Sequence, residues 1–404
     1  NGDMHIFKVQ IRQNFRRAAA RFSTFLQGIP PRRRRGAVIL HRKRAKKPWG
    51  LWFFSLCFSA FCAILMQKRG ALSPPFAFPF FPAKRGNILH QMMRVPRLGR
   101  GQCERRTSPM KNPIFTGSGL AMVTPMQSDG SVNYTEIDRL LEDQIAAHTD
   151  AIISCGTTGE ASTLDDREHL DVIAHVVKRV NGRIPVIAGT GSNNTAHAVM
   201  MSKEAADLGA DGLLVVTPYY NKTSQAGLIA SYTAIADATD LPVIMYNVPS
   251  RTGVNIAPET AKTLSAHPHI NAIKEASGNI SQIAKIAALC GDELNIYSGN
   301  DDQIVPLLSL GGKGVISVLA HVAPQQTHDI CQLWFDGKTA ESAALQLQLL
   351  DVCNALFCDV NPIPVKAAMN MMGYDVGECR LPLVPLSEAN TAKLHDALHR
   401  AGLL

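Results

Sequence analysis

One lysine stands where lysines are seldom found. Lys274 follows Asn271-Ala272-Ile273 in a short apolar run. A lysine is rarely buried without a partner or a task. Burial favours its neutral amine, and a neutral amine attacks a carbonyl to form a Schiff base. On position alone, Lys274 reads equally as a strand-end lysine paired with Glu275 or another carboxylate nearby. Imine formation needs protons moved on and off the same oxygen and nitrogen. Hydroxyls suit this because each donates and accepts, so Tyr246 and Tyr220 are candidate proton carriers and Thr157 a candidate relay. Each tyrosine also reads as a core side chain with its hydroxyl hydrogen-bonded. Gly156-Thr157-Thr158-Gly159-Glu160 offers backbone N–H groups to a small carboxylate, although glycine turns after strands are common. Arg251 has the forked guanidinium that grips a carboxylate, and it also reads as one half of a surface ion pair.

These residues need a frame. From residue 118 onward, short β-branched apolar runs alternate with segments of helical period. The runs cover residues 119–126, 151–155, 185–189, 212–217, 242–247, 271–275, 295–298 and 314–319, eight in all. Their near-continuous apolar character suits parallel strands covered on both faces. Asn133-Tyr134-Thr135-Glu136 predicts a capping box, followed by a stripe of Ile137, Leu140, Leu141, Gln144 and Ile145. Pro258-Glu259 predicts another helix start, and Gly209, Gly291 and Gly311-Gly312 predict helix ends. Eight strand–helix units predict an α/β fold, a (β/α)8 TIM barrel. The alternative, a doubly wound open sheet, carries a glycine-rich loop after its first strand, and here that strand ends in Thr124-Pro125-Met126. The predicted organisation is a barrel over residues 110–334 and a helical C-terminal extension over residues 335–404, with helices at 341–358, 364–372 and 388–401. A barrel of this kind places its reactive groups at the C-terminal ends of the strands. The 156–160 string follows the second run, Pro218-Tyr219-Tyr220-Asn221 the fourth, and Tyr246 to Gly253 the fifth. Lys274 lies in the sixth run, and Ser298-Gly299-Asn300-Asp301 closes the seventh.

Charge divides the chain unevenly. Residues 1–110 hold 23 Lys and Arg against 2 Asp and Glu, which leaves 18 against 31 for the remainder. A body of net negative charge offers no general field for polyanions, so no nucleic-acid partner is expected. The sequence opens on Asn1, and residues 1–109 are read as upstream sequence, with Met110 as the natural start. A membrane anchor over the uncharged run 49–66 and an Arg-rich, acid-poor targeting peptide are the alternatives. The nine cysteines form no CxxC pair and read as buried thiols in a reducing cytoplasm. The 13 histidines show no HExxH spacing, so no catalytic metal is expected. Gly189-Thr190-Gly191-Ser192 looks like a nucleotide turn but lacks the third glycine. No cofactor is expected.

Four strings together carry a resemblance: Gly156 to Glu160, Pro218-Tyr219-Tyr220-Asn221-Lys222, Tyr246 to Gly253, and Ile273-Lys274-Glu275-Ala276. They resemble the dihydrodipicolinate synthases, a family of class I, lysine-dependent aldolases, over residues 114–404. The resemblance implies pyruvate as the imine-forming substrate on Lys274 and L-aspartate-4-semialdehyde as the second. It implies a relay of Tyr246, Thr157 and Tyr220, with Tyr220 supplied from a neighbouring subunit. It implies Thr158 on the pyruvate carboxylate, Arg251 on the semialdehyde carboxylate, and Gly299 and Ile316 in the pocket wall. It also implies a cytoplasmic homo-oligomer, a homotetramer built as a dimer of dimers. N-acetylneuraminate lyases and keto-deoxy-sugar aldolases share the lysine and tyrosine but generally differ at Thr158 and Arg251. A catalytically silent barrel that only binds is the non-enzyme alternative. Family members that respond to lysine bind it at a subunit interface, where His169, Asn193 and Tyr219 match the usual ligands. His197 stands where those members carry a glutamate, and Asp166 where they often carry a histidine. Weak or absent lysine inhibition is therefore expected.

Overall fold

The computed structural model describes residues 111–404. The readings made for residues 1–109, the apolar run 49–66 among them, lie outside the described residues. Eight parallel strands close into a barrel in chain order: β1 (Gly117–Ala121), β2 (Ala151–Ser154), β3 (Val186–Gly189), β4 (Gly212–Val216), β5 (Val243–Asn247), β6 (Ile270–Glu275), β7 (Asn295–Ser298) and β8 (Gly314–Ser317). Strand β1 pairs with β8, for example Gly119 with Ile316, so no edge remains open. The helices that follow the strands are α1 (Tyr134–Ala146), α2 (Asp166–Val180), α3 (Thr195–Asp207), α4 (Gln225–Ala236), the short α5 (Pro249–Thr252), α6 (Pro258–Ser265), α7 (Ile280–Cys290), α8 (Ile304–Leu308) and α9 (Pro324–Phe335). Four more follow: α10 (Thr339–Gln348), α11 (Leu350–Ala355), α12 (Ile363–Met371) and α13 (Glu388–Arg400). This is the predicted (β/α)8 barrel with helices after it.

Alternation along the strands sorts side chains into two cores. Ile153, Ile187, Leu214, Ile244, Ala272 and Ile316 fill the barrel interior. Their neighbours in sequence, such as Ile152, Leu213, Met245 and Ile273, pack outward against the helices. Phe115 stacks on Tyr297 with ring centroids 4.4 Å apart, and the Tyr297 hydroxyl donates to the Phe115 carbonyl at 2.6 Å. Lys111 lies just upstream, with its ammonium donating to the carbonyls of Ser265, His267 and Ile270 at 2.6–2.7 Å.

Three local expectations are corrected. The first strand ends at Ala121 rather than 126. The Met122 N–H still bonds the Ile153 carbonyl, but the Thr124 hydroxyl turns to the Gly159 carbonyl at 2.7 Å and Met126 bridges Val132 instead. At α1, the Asn133 side chain accepts from the Glu136 N–H, yet Glu136 does not return the bond. Its carboxylate accepts from Arg139 and from the Asp375 N–H, which ties α1 to the chain beyond α12. A complete capping box forms at α2, between Asp165 and Glu168. The helix expected over 341–358 is broken at buried Leu349, with φ −90° and ψ 0°. No glycine or proline marks that break.

Candidate active site

Strand parity places the lysine. Lys274 has the same parity as Ala272, so it points into the barrel, and it is 6% exposed. Glu275 has the opposite parity and points outward. Its carboxylate accepts from Asn247 Nδ2 at 3.0 Å and from the Ser277 N–H at 2.8 Å. Glu275 is therefore engaged elsewhere and is not the partner of Lys274. In register, Tyr246, Lys274 and Tyr297 form one row across β5, β6 and β7. The Lys274 ammonium position lies 4.3 Å from the centroid of the Tyr246 ring.

Burial pulls the Lys274 pKa down from 10.5 to about 8. The Asp301 carboxylate resists that shift and the Arg251 guanidinium assists it. Asp301 is itself buried, and its Oδ2 accepts from the N–H groups of Val318 and Leu319 at 3.1 and 2.9 Å. Burial also holds the Tyr246 phenol above its ordinary range, while Arg251 and a hydrogen bond with Thr157 pull the other way. The hydroxyl pair Thr157–Tyr246 thus stands beside an amine that loses its proton more readily than a free lysine.

The loop carrying Thr157 is bent at both ends. Cys155 and Glu160 adopt φ of 54° and 55°, left-handed values that non-glycine residues avoid at a cost of about 1–2 kcal/mol each. Such strain gathers at functional sites. Glu160 is clamped: its Oε1 accepts from Lys366 of α12 at 2.7 Å and its Oε2 from the Arg380 N–H at 2.8 Å. Both charged side chains of that ion pair are 2% exposed. Thr158, also buried, accepts a hydrogen bond on Oγ1 from Asn361 Nδ2 at 2.9 Å. The exposed Arg251, on α5, donates from Nη2 to the Asn361 carbonyl at 3.1 Å.

A cavity of about 420 Å³ opens at this end of the barrel, and Thr157, Tyr246 and Arg251 line it. Lys274 does not line it; its ammonium stands over the face of the Tyr246 ring. Gly299 and Ile316 do not line it either. A Cβ at Gly299 would come 3.2 Å from Lys274 Cε and 2.7 Å from Ala276 Cβ, so the missing side chain makes room for the lysine. Ile316 is buried in the inner core with Tyr246. Tyr220 does not join the others within the chain. It is 91% exposed, at φ 67°. Gly189 and Gly191, which looked like part of a nucleotide turn, have another use. A Cβ at Gly189 would lie 2.2 Å from the Cys155 carbonyl oxygen, and one at Gly191 would lie 2.3 Å from the Val216 N–H nitrogen. These glycines let neighbouring strand ends approach.

The same cavity extends to His169, Asp166, His197 and Tyr219. His169 Nε2 bonds the Gly189 carbonyl at 2.7 Å, and burial lowers its pKa. His197 Nε2 lies 2.9 Å from Asp166 Oδ1. Asn193 does not line the cavity; its carbonyl accepts from Asn221 Nδ2 at 2.9 Å. Four residues of this end were not given roles from sequence: Asp301, Asn361, and the paired Glu160 and Lys366. Asp301 stood in a strand-end string, whereas Asn361 and Lys366 carried no signal beyond an Asn-Pro turn and a helix.

Residues 114–401 match the model of the dihydrodipicolinate synthetase family. A 4-hydroxy-tetrahydrodipicolinate synthase from Caldicellulosiruptor saccharolyticus is 59% identical over 291 residues, 72% of this chain and 98% of that protein. A chloride-inhibited dihydrodipicolinate synthase from Acinetobacter baumannii, solved in complex with pyruvate, superimposes with a TM-score of 0.70 at 43% identity, covering 72% of this chain and 99% of its own. The enzyme from Cyanidioschyzon merolae with lysine bound gives 0.71 at 41%, covering 72% and 100%. With the match spanning every strand of the barrel and the helices behind it, this chain belongs to the dihydrodipicolinate synthetase family.

Proposed function

We propose that this chain is a lyase that condenses pyruvate with L-aspartate-4-semialdehyde to 4-hydroxy-tetrahydrodipicolinate, a step of lysine and diaminopimelate synthesis. The observation that carries the reading is Lys274: inward-facing, buried, and beside Tyr246. Its neutral amine adds to the pyruvate ketone, and loss of water leaves an imine. Loss of a methyl proton gives an enamine, whose carbon forms the new C–C bond to the aldehyde; the semialdehyde's own amine then attacks the imine carbon, closes the ring and displaces the Lys274 amine. Tyr246 and Thr157 carry the protons. Thr158 holds the pyruvate carboxylate, Arg251 that of the semialdehyde, and Gly299 and Ile316 shape the wall. Thr158 and Arg251 favour this reaction over sugar-acid cleavage. The lowered pKa of a buried lysine favours an enzyme over a silent barrel.

Tyr220, exposed at its turn, is the group that a second copy would receive, so the proposed active form is a homo-oligomer, a dimer of dimers. Residues 110–334 and 335–404 are its catalytic barrel and helical extension, and residues 1–109, upstream of the family match, are read as lying outside the catalytic unit. No helix among the described residues is long and apolar enough to cross a membrane, which accords with a cytoplasmic enzyme. His169, Asn193, His197 and Tyr219 mark a regulatory site of weak affinity for lysine, because the Asp166 carboxylate that could greet an ammonium is occupied by His197. Pyruvate with borohydride should add one reduced adduct, on Lys274. An adduct elsewhere, or none by intact mass, removes the lysine from the mechanism.

A further inference from the structure

Outside the reacting groups, the observations converge on Asn361, in the turn between α11 and α12. It is 5% exposed and does not line the cavity. It nevertheless touches both residues to which the proposed function gives a substrate carboxylate. Its side-chain Nδ2 donates to Thr158 Oγ1 at 2.9 Å, and its main-chain carbonyl accepts from Arg251 Nη2 at 3.1 Å. The two contacts use different atoms, so a side-chain substitution removes one and leaves the other.

The direction of the Thr158 bond matters. A hydroxyl that accepts from Asn361 keeps its own proton free to donate, which is the polarity an anion needs. The other end of the amide adds a second observation: Asn361 Oδ1 is buried with no hydrogen-bond partner among the described residues. Buried polar atoms are nearly always paired, and an apolar side chain of similar volume would avoid that cost. The amide is kept for what its nitrogen holds.

We propose that Asn361 is a positioning residue that turns the Thr158 hydroxyl toward the carboxylate of the ketoacid substrate, independently of its main-chain hold on Arg251. The inference rests on the pyruvate reading above. Wild-type adduct formation on Lys274 is therefore the control: without that adduct the function reading fails, whatever Asn361 does.

The test is steady-state kinetics in both substrates for Asn361→Ala, Asn361→Asp and Asn361→Ser, each also melted thermally. Asn361→Ala frees the hydroxyl, and KM for pyruvate should rise about tenfold. KM for the semialdehyde and kcat should stay within about twofold, since the carbonyl contact to Arg251 survives. Asn361→Asp, although closest in shape, should be worse than alanine, because a carboxylate accepts the hydrogen bond of the Thr158 hydroxyl and repels the ketoacid. Asn361→Ser, which can still donate a hydrogen bond, should fall between wild type and alanine. In a Thr158→Val background, Asn361→Ala should have no further effect on pyruvate. Equal rises in both KM values, an aspartate milder than alanine, or an undiminished effect in the Thr158→Val background each overturn the proposal. Failure of all three variants to fold does so as well, since Asn361 would then serve the fold.

Discussion

The lowered pKa of Lys274 sets the pH course of imine formation. Near pH 7 an amine with a pKa of about 8 is roughly a tenth neutral, whereas one at the ordinary 10.5 is roughly 0.03% neutral, an advantage of roughly 300-fold. The neutral form is the nucleophile, so the rate rises with pH and levels off once pH passes the pKa. At low pyruvate, the rate of borohydride-trapped adduct on Lys274, followed by intact mass, should climb about tenfold from pH 6 to 7 and flatten above about pH 9. Asp301 provides the second perturbation. Its carboxylate favours the ammonium form of Lys274, so Asp301→Asn should move the rising limb toward lower pH. A rate still climbing about eightfold between pH 9 and 10 would show an unperturbed lysine. A limb that stays put or moves upward in Asp301→Asn would refute the role given to that carboxylate.

Three further outcomes are expected. Tyr246→Phe keeps the ring and loses the hydroxyl, so the protein should fold while turnover falls about 100-fold or more; near-wild-type turnover would remove Tyr246 from the relay. Glu160→Gln or Lys366→Met should each cost about 3–5 kcal/mol by leaving a buried charge without its partner, and the double variant should recover much of that loss. Chemical denaturation reads this cycle, and strictly additive losses would argue against the pair. L-lysine should not half-inhibit at submillimolar concentration, because His197 replaces a charge-assisted contact worth about 1.5–3 kcal/mol; inhibition in that range would show the reading of His197 to be wrong.

What could be read from sequence was whatever repeats or interrupts a pattern. The eight apolar runs announced the barrel because parallel strands covered on both faces need unbroken apolar character. Lys274 was conspicuous because it broke such a run. Its separation from Glu275 followed only from strand parity and register, which shift with a single residue of slippage. Tyr246 and Thr157 were found by their place at strand ends. Asn361 could not be found that way. It lies 203 residues from Thr158 and 110 from Arg251, and no local periodicity reports a contact at that separation. The half-formed cap at Asn133 had the same cause: the motif was present, but Glu136 was claimed by Asp375, 239 positions away.

The ion pair between Glu160 and Lys366 also bears on how such a protein can be recombined. Barrel and terminal helices look like modules that could be exchanged between relatives at the junction after α9. Yet Glu160, on the barrel, has its counter-charge on α12, and Thr158 has its amide donor in the turn before it. A chimera that joins the barrel of one parent to the helices of another therefore inherits a complete site only where both parents supply matching halves at these two positions. Crossovers within the 158–366 interval separate one pair or both; those outside it keep both pairs together.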